Sequence, residues 1–402
     1  MTFRARAAYD WASRQRWLDL PFPVEEYHAR VERIRQHLNR EELDAALVFG
    51  NPGRPGPVRY VSNFNSFLGS TLVVVPAAGD VALVTETIFH HEPMHAMIWT
   101  TWVEDVRCTD FPLANTSDDL AAHVRDVFRE RGLERGRVAL VGERWIPAGL
   151  EATLRRDLPR VAWVSGARLW LDVTARKSRA EIAVLREAAA IAGRGFKAAL
   201  AAAVPGAAEY QVAGAAAGAM MEAGAQEVWT PMAVAFGPRA GFKHSAPTGR
   251  RIQQGDAFFI DLSPVRHGYI VDVARTGVVG SGPSRMRAML DTALGMADAV
   301  VAAARPGVQG GELVALCRRI ATAAGFEDLF YPDAVGHGVG TTKFETPLLL
   351  GEHVDVVLEE GMVFSLEPML VEESLGTAVV EDEILITPGG AEILPCFTRK
   401  LW

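Results

Sequence analysis

Cysteine is scarce in this chain: Cys108, Cys317 and Cys396 are all that 402 residues contain, they lie far apart, and none belongs to a CxxC pair. That argues against a disulfide framework and a thiolate metal site, and it suits a reducing cytoplasm. Long apolar runs are missing too. No stretch approaches the roughly 20 residues of a membrane span. The N-terminal arginines are interrupted by Asp10, Trp11 and Asp19 where a signal peptide needs an apolar region. Neither a membrane nor a targeting route is expected. Positive charge is in deficit as well: 41 Lys and Arg face 49 Asp and Glu, a net charge of -8. No basic cluster with interleaved aromatics compensates, so nucleic acid is not an expected partner. What is present, 49% hydrophobic and 22% charged residues, describes an acidic globular chain long enough to bury two cores in two domains.

Against that background, five hard ligands recur in order along the C-terminal half: Asp261, Asp272, His337, Glu367 and Glu381. The aspartates sit in GDAFFIDLSPVRHGYIVDVART, where two apolar runs flank a turn-like Pro264 to Gly268. Adjacent antiparallel strands would bring them together. The histidine lies in VGHGVG, and the glutamates lie in MVFSLEPML and AVVEDEILIT. A charge inside a β-rich apolar run is costly unless a cation or partner neutralises it. Taken singly, each residue reads as an ordinary edge carboxylate or a hydrogen-bonded structural histidine. Together, four carboxylates and one imidazole form an oxygen-rich set, with carboxylates free to bridge two metals about 3.5–4 Å apart. Such a set favours two divalent ions of manganese, iron or cobalt over zinc.

The segment from Arg176 to Thr398 resembles the catalytic domain of the methionine aminopeptidase, prolidase and creatinase superfamily, with its pita-bread fold. The entry sequence RKSRAEIAVLREAAAIA, with Lys177, Ser178, Glu181 and Arg186, resembles the family's domain start, as does Pro205-Gly206 followed by Glu209. The resemblance implies that Asp261 is a terminal ligand, that Asp272 and Glu381 bridge, and that His337 and Glu367 bind one metal. It also implies a substrate-facing, proton-moving role for His244 in FKHSAPTGRRIQQGD; the plain alternative is a loop histidine packed on Phe242. His267 falls in the expected turn and reads as solvated.

Two departures bear on specificity. After HGVG, a proline peptidase carries His-Glu-x-Pro, whereas this chain reads Phe344-Glu345-Thr346-Pro347. Phenylalanine cannot donate the hydrogen bond that would stabilise an oxyanion. Two residues before the last glutamate, Val379 replaces a substrate-holding arginine. Phe344, Glu345 and Val379 are therefore the expected pocket residues, joined by Asn65 and Phe67 in NFNSFLGS, a loop that in creatinase-like proteins reaches a partner's active site. An ordinary strand-to-strand loop is the equal alternative there.

Along the chain, VEEYHARVERIRQHLNREEL has the charged pattern of a surface helix. DAALVFG, STLVVVP, DVALVTE, RVALVGE and ARLWLDV read as strands around the helical SDDLAAHVRDVFRERG. This predicts an α/β N-terminal creatinase-like domain over residues 1–175 and an α+β pita-bread catalytic domain over 176–402, the boundary falling near Val173 to Lys177. Ala-rich helical stretches in the second domain are read as packing surfaces, and two helical pairs followed by β-segments hint at internal pseudo-symmetry. His90, His91 and His95 resemble a ligand spacing, but Pro93 interrupts the helix that would align them. The expected function is metal-dependent hydrolysis of an amide or amidine-like C–N bond in a small polar substrate, with Glu367 and His244 moving protons, in a homodimer. The alternatives left open are an Xaa-Pro dipeptidase or aminopeptidase, an elimination enzyme resembling the dimethylsulfoniopropionate lyases, and a binding module that has lost catalysis.

Overall fold

The computed structural model describes residue 15 and residues 18–66, 69–86, 101–109, 116–230, 232–331, 334–345 and 347–402. Phe67, His90, His91, His95 and Thr346, named above, lie outside the described residues. The chain divides into two compact units, Met1–Thr174 and Ala175–Trp402.

The first unit is built on a six-stranded mixed sheet in the order β4-β3-β2-β1-β5-β6. Its strands are β1 (Ala45–Gly50), β2 (Thr71–Pro76), β3 (Ala82–Thr85), β4 (Asp105–Cys108), β5 (Arg137–Val141) and β6 (Ala162–Ser165). β1 to β3 form an antiparallel meander, while β5 joins β1 in parallel. Every residue of β1 and β2 is buried, because side chains alternate between two covered faces. Ala45, Leu47 and Phe49 pack with Leu120, Val124 and Phe128 of helix Thr116–Glu130 and Leu150 and Leu154 of helix Ala148–Asp157. Ala46 and Val48 pack on the other side with Val31, Ile34 and Leu38 of helix Val24–Arg40.

One element differs from the sequence reading. ARLWLDV is not a strand: Ala167–Thr174 is a helix, with Leu169 and Val173 buried. That i, i+4 pair joins the second core face, and Trp170, one residue on, meets the Tyr60 ring edge-on at 5.2 Å. A short apolar run does not reveal its period; here packing on the sheet selects the helix.

The second unit carries β7 (Glu227–Val228), β8 (Ala233–Phe236), β9 (Ala257–Leu262), β10 (Pro264–Arg266), β11 (Tyr269–Ile270), β12 (Val273–Val278), β13 (Ala334–Gly338), β14 (Leu349–Gly351), β15 (Val363–Leu366), β16 (Met369–Glu372), β17 (Gly376–Val379), β18 (Asp382–Thr387) and β19 (Gly390–Ile393). They pair in the orders β11-β10-β7, β12-β9-β8, β14-β13-β15-β18-β19 and β16-β17. Helices Arg179–Ala202 and Glu209–Glu222 precede the first strands, and Ser284–Ala303 and Gly310–Ala323 precede the later ones. The first of these helices opens with a reciprocal cap: Ser178 Oγ accepts from Glu181 N and Glu181 Oε2 accepts from Ser178 N. The helices approach closely where side chains are small; a Cβ on Gly195 would stand 2.7 Å from Met220.

The expected turn between the aspartates is tighter than Pro264 to Gly268. Pro264–Arg266 is itself a strand, and the reversal falls on His267 and Gly268, whose φ values of 50° and 80° suit a two-residue hairpin.

Candidate metal centre

β9 and β12 run antiparallel with Leu262 opposite Val273 and Asp261 opposite Ala274, so Asp261 and Asp272 end up as near neighbours. β13 and β15 set His337 opposite Ser365, and Glu367 N donates to Val335 O at 2.8 Å. This approach requires glycine beside the histidine: a Cβ on Gly336 would collide with the Ser365 carbonyl. Glu381 lies between β17 and β18, its N–H donating to Ala274 O at 3.1 Å. Ligand atoms of Asp272, His337 and Glu381 all fall within 4.8 Å of one another, and all three residues are buried.

The cluster has two sides that meet at Asp272. On one side, His337 Nε2 is 3.4 Å from Asp272 Oδ2 and 3.6 Å from Glu367 Oε1, yet it has no hydrogen bond of good geometry. On the other side stands Lys343. Its Nζ lies 2.9 Å from Asp272 Oδ1, 3.5 Å from Asp261 Oδ2 and 3.0 Å from Ser263 Oγ, while Ser263 Oγ donates to Asp272 Oδ1 at 2.9 Å. Around these, Ser365 Oγ is 2.6 Å from Glu381 Oε1, and Glu383 Oε1 accepts from Asp272 N at 2.5 Å. Asp261 Oδ1, like His337 Nε2, is buried without a hydrogen-bond partner.

The electrostatics follow from this crowding. Burial, reinforced by Asp272, holds Asp261 well above the usual carboxylate range, and burial with Asp272 and Glu367 does the same to Glu381. Burial would raise Asp272 as well, but Lys343 and His337 hold it below the usual range. Burial also raises Glu367 against the pull of His337. For His337, burial opposes the charged form, and Asp272 outweighs it, so the imidazole is raised. Four carboxylates thus share one ammonium and one imidazole. An unpartnered, buried imidazole nitrogen facing carboxylate oxygens is a donor set that fits a divalent metal on the His337 side.

The remaining expected site residues fall as follows. Phe344 is 47% exposed and lies on the His337 ring, centroids 4.3 Å apart. Glu345, expected in a pocket, is instead buried, its carboxylate paired with Lys177; burial overrides that lysine and pushes the carboxyl up to about 7. Val379 is 1% exposed, with its backbone N–H and C=O both bonded to Thr276 Oγ1, so it is a core residue two positions ahead of Glu381. His244 is exposed with φ 67° in the loop after the 3-10 turn Gly237–Gly241. Its imidazole is lowered, first by lost hydration and then by Lys243 and Lys343. Asn65, in the first unit, is half-buried after helix Gly56–Ser62. Sequence reasoning missed Lys343, Ser263 and Ser365. The serines had a signal, since each lies two residues from a ligand and so on the same strand face; Lys343 had only its place in a glycine-rich loop beside the histidine.

The profile of metallopeptidase family M24 matches residues 183–388, and that of the creatinase/prolidase N-terminal domain matches residues 30–172. The chain is 33% identical to an Xaa-Pro dipeptidase of Pyrococcus furiosus over 230 residues, covering 57% of this chain and 66% of that protein. It is 26% identical to an Xaa-Pro dipeptidase of Pyrococcus horikoshii over 374 residues, covering 92% and 98%. Among solved structures, the prolidase from Pyrococcus horikoshii superposes with a TM-score of 0.79 at 25% identity over 93% of this chain and 100% of that one. An X-Pro aminopeptidase from Thermotoga maritima shares the fold, with a TM-score of 0.81 at 20% identity over 92% and 99%. The chain belongs to metallopeptidase family M24, with the two-domain creatinase/prolidase architecture and a pita-bread catalytic domain, and is a metal-dependent hydrolase.

Proposed function

We propose that this M24 hydrolase cleaves the amide C–N bond of a small polar substrate other than an ordinary Xaa-Pro dipeptide. The observation that carries this reading is the pairing of a metal-fit donor set with an apolar ring at its edge: His337 Nε2 faces Asp272 and Glu367, Glu381 clusters with Asp272 and His337, and Phe344 packs on the imidazole. Asp272, His337, Glu367 and Glu381 would hold the metal; a second ion would need Asp261 and the Asp272 oxygen now held by Lys343. When bound, a divalent metal of the manganese, iron or cobalt kind polarises the scissile carbonyl and lowers the pKa of water.

The protein's own groups supply the rest. Glu367 retains 23% side-chain exposure. A carboxylate that reaches solvent from within the cluster, and is raised by burial, is suited to take a proton from the attacking water. His244 is exposed, and lost hydration with Lys243 and Lys343 shifts its imidazole toward the neutral form. It therefore serves to orient the substrate by hydrogen bonding rather than to arrive already protonated. Phe344 excludes water from one side of His337 and offers a surface for an apolar group, but it donates nothing to an oxyanion. Loss of one such donor costs about 10²–10³ in rate.

The relatives' printed activity supports a second reading, an Xaa-Pro dipeptidase. A substrate panel separates the two. Purified protein with manganese or cobalt should release amine from small amides or N-acylated amino acids and act on Xaa-Pro dipeptides with kcat/KM below roughly 10⁴ M⁻¹s⁻¹, the lower end of the ordinary enzyme range. Ordinary turnover of Xaa-Pro dipeptides would overturn the first reading in favour of the second. An alkene product formed without water incorporation would replace both with elimination.

A further inference from the structure

We propose that the Lys343 ammonium takes one of the two cation places in the carboxylate cluster, so that the chain holds a single tight divalent metal, on the His337 side. The inference rests on reading the cluster as a metal centre, and it concerns how that centre fills. An ammonium has three donors. Here three oxygens surround it: Asp272 Oδ1 at 2.9 Å, Ser263 Oγ at 3.0 Å and Asp261 Oδ2 at 3.5 Å. The side chain is 8% exposed, so these partners replace its water. It holds one oxygen each of Asp261 and Asp272, leaving Asp261 Oδ1 without a hydrogen-bond partner. Two other oxygens that it leaves, Asp272 Oδ2 and Glu367 Oε1, face the unpartnered Nε2 of His337. Asp272 therefore divides the site, one oxygen to each cation.

The neighbouring chain keeps the lysine aimed inward. Two residues on, Glu345 N donates to Gly338 O at 2.9 Å and the Glu345 carboxylate is paired with Lys177. Between them Phe344 rests on the His337 ring. A divalent ion entering on the Asp261 side would meet the ammonium at contact distance, where like charges in a buried site repel strongly. It binds there only by expelling Lys343 from all three partners. Filling is thus unequal, in contrast with an open pair of metal places.

The test is metal stoichiometry, read without activity. The full chain is stripped with chelator, re-metallated with Mn²⁺ or Co²⁺, desalted and subjected to elemental analysis, with calorimetric titration alongside. Wild type should retain one ion per chain, and Lys343→Met, which keeps an unbranched side chain one atom shorter and removes its charge, should retain two. Asp261→Asn, altering a partner of the lysine, should still retain one, whereas His337→Ala should lose it. These two variants keep the assignment falsifiable if Lys343→Met does not fold by circular dichroism. Two tight ions in wild type, one in folded Lys343→Met, or loss of the ion in Asp261→Asn overturns the lysine assignment while leaving the metal reading intact. No ion in wild type overturns the metal reading itself.

Discussion

The two units differ in the charge they bury. In the first, the sheet is covered by apolar residues on both faces and, among the described residues, the charge it buries is cationic: Arg30, 1% exposed, pairs with the partly exposed Glu26, while Arg107 bridges Asp105 and Glu130 and Arg131 joins Asp105 at partly exposed positions. In the second, Asp261, Asp272, His337, Lys343, Glu345, Glu381, Asp382 and Glu383 are all buried. Partly exposed pairs contribute little and are screened by salt. Buried acids without enough counter-charge cost several kcal/mol each and persist only where something else compensates or requires them. The difference teaches that the first unit is organised mainly for packing, and that the second gathers most of its buried acids where the chemistry is, with Glu209 held elsewhere by Arg239 and Thr248.

The largest break in that contrast comes from Asp272→Ala. Removing the carboxylate shared by both sides of the cluster should abolish metal retention and turnover. The expected loss exceeds the roughly 10–100-fold in metal affinity that changes to the supporting shell cost. Elemental analysis and amine release measure it; a variant that still binds and turns over would deny Asp272 its central place. Next, Leu47→Ala in β1 should cost about 2–5 kcal/mol by opening a cavity in the first unit's core. Metal retention should not change, as read by denaturant melts and stoichiometry on the same sample. Loss of metal with that core substitution would erase the division of labour.

The smallest effect sharpens the comparison through pH. The folded carboxyl of Glu345, pushed up to about 7, lies above the unfolded glutamate value near 4.3. Its contribution is complete below pH ~4.3 and is lost as the pH rises to about 7, because the unfolded chain ionises first. Relative to Glu345→Gln, wild type should lose up to about 4 kcal/mol across that window. A difference between the two that stays flat from pH 4 to 8 would show that Lys177 keeps the group ionised throughout.

The ordered ligands could be read from sequence because strand alternation and turn residues fix where a carboxylate points. Asp261 and Asp272 needed only their flanking runs and a reversal between them; the observed hairpin moved the turn to His267 and Gly268 without disturbing that pairing. Lys343 could not be found that way. Nothing in GVGTTKFETP tells an inward lysine from a solvated one; beside it, Glu345 is anchored locally on Gly338 and, far away in sequence, on Lys177. The same pairing explains why Glu345 looked like a pocket residue and lies buried. Helix Ala167–Thr174 was hidden for a related reason, since its short, mostly apolar stretch ARLWLDV fits either period until a sheet is there to receive it.

The tight reversal at His267 and Gly268 also bears on how such an enzyme can diversify. The register that places the aspartates is set at Leu262 opposite Val273, below the tip, so residues added symmetrically at the tip leave both carboxylates in position. One residue inserted within β9 would instead turn Asp261 to the opposite face of its strand. The arm therefore tolerates growth at its end and forbids it at its base, which makes the tip a natural place to graft a new recognition loop while the ligands stay where they are.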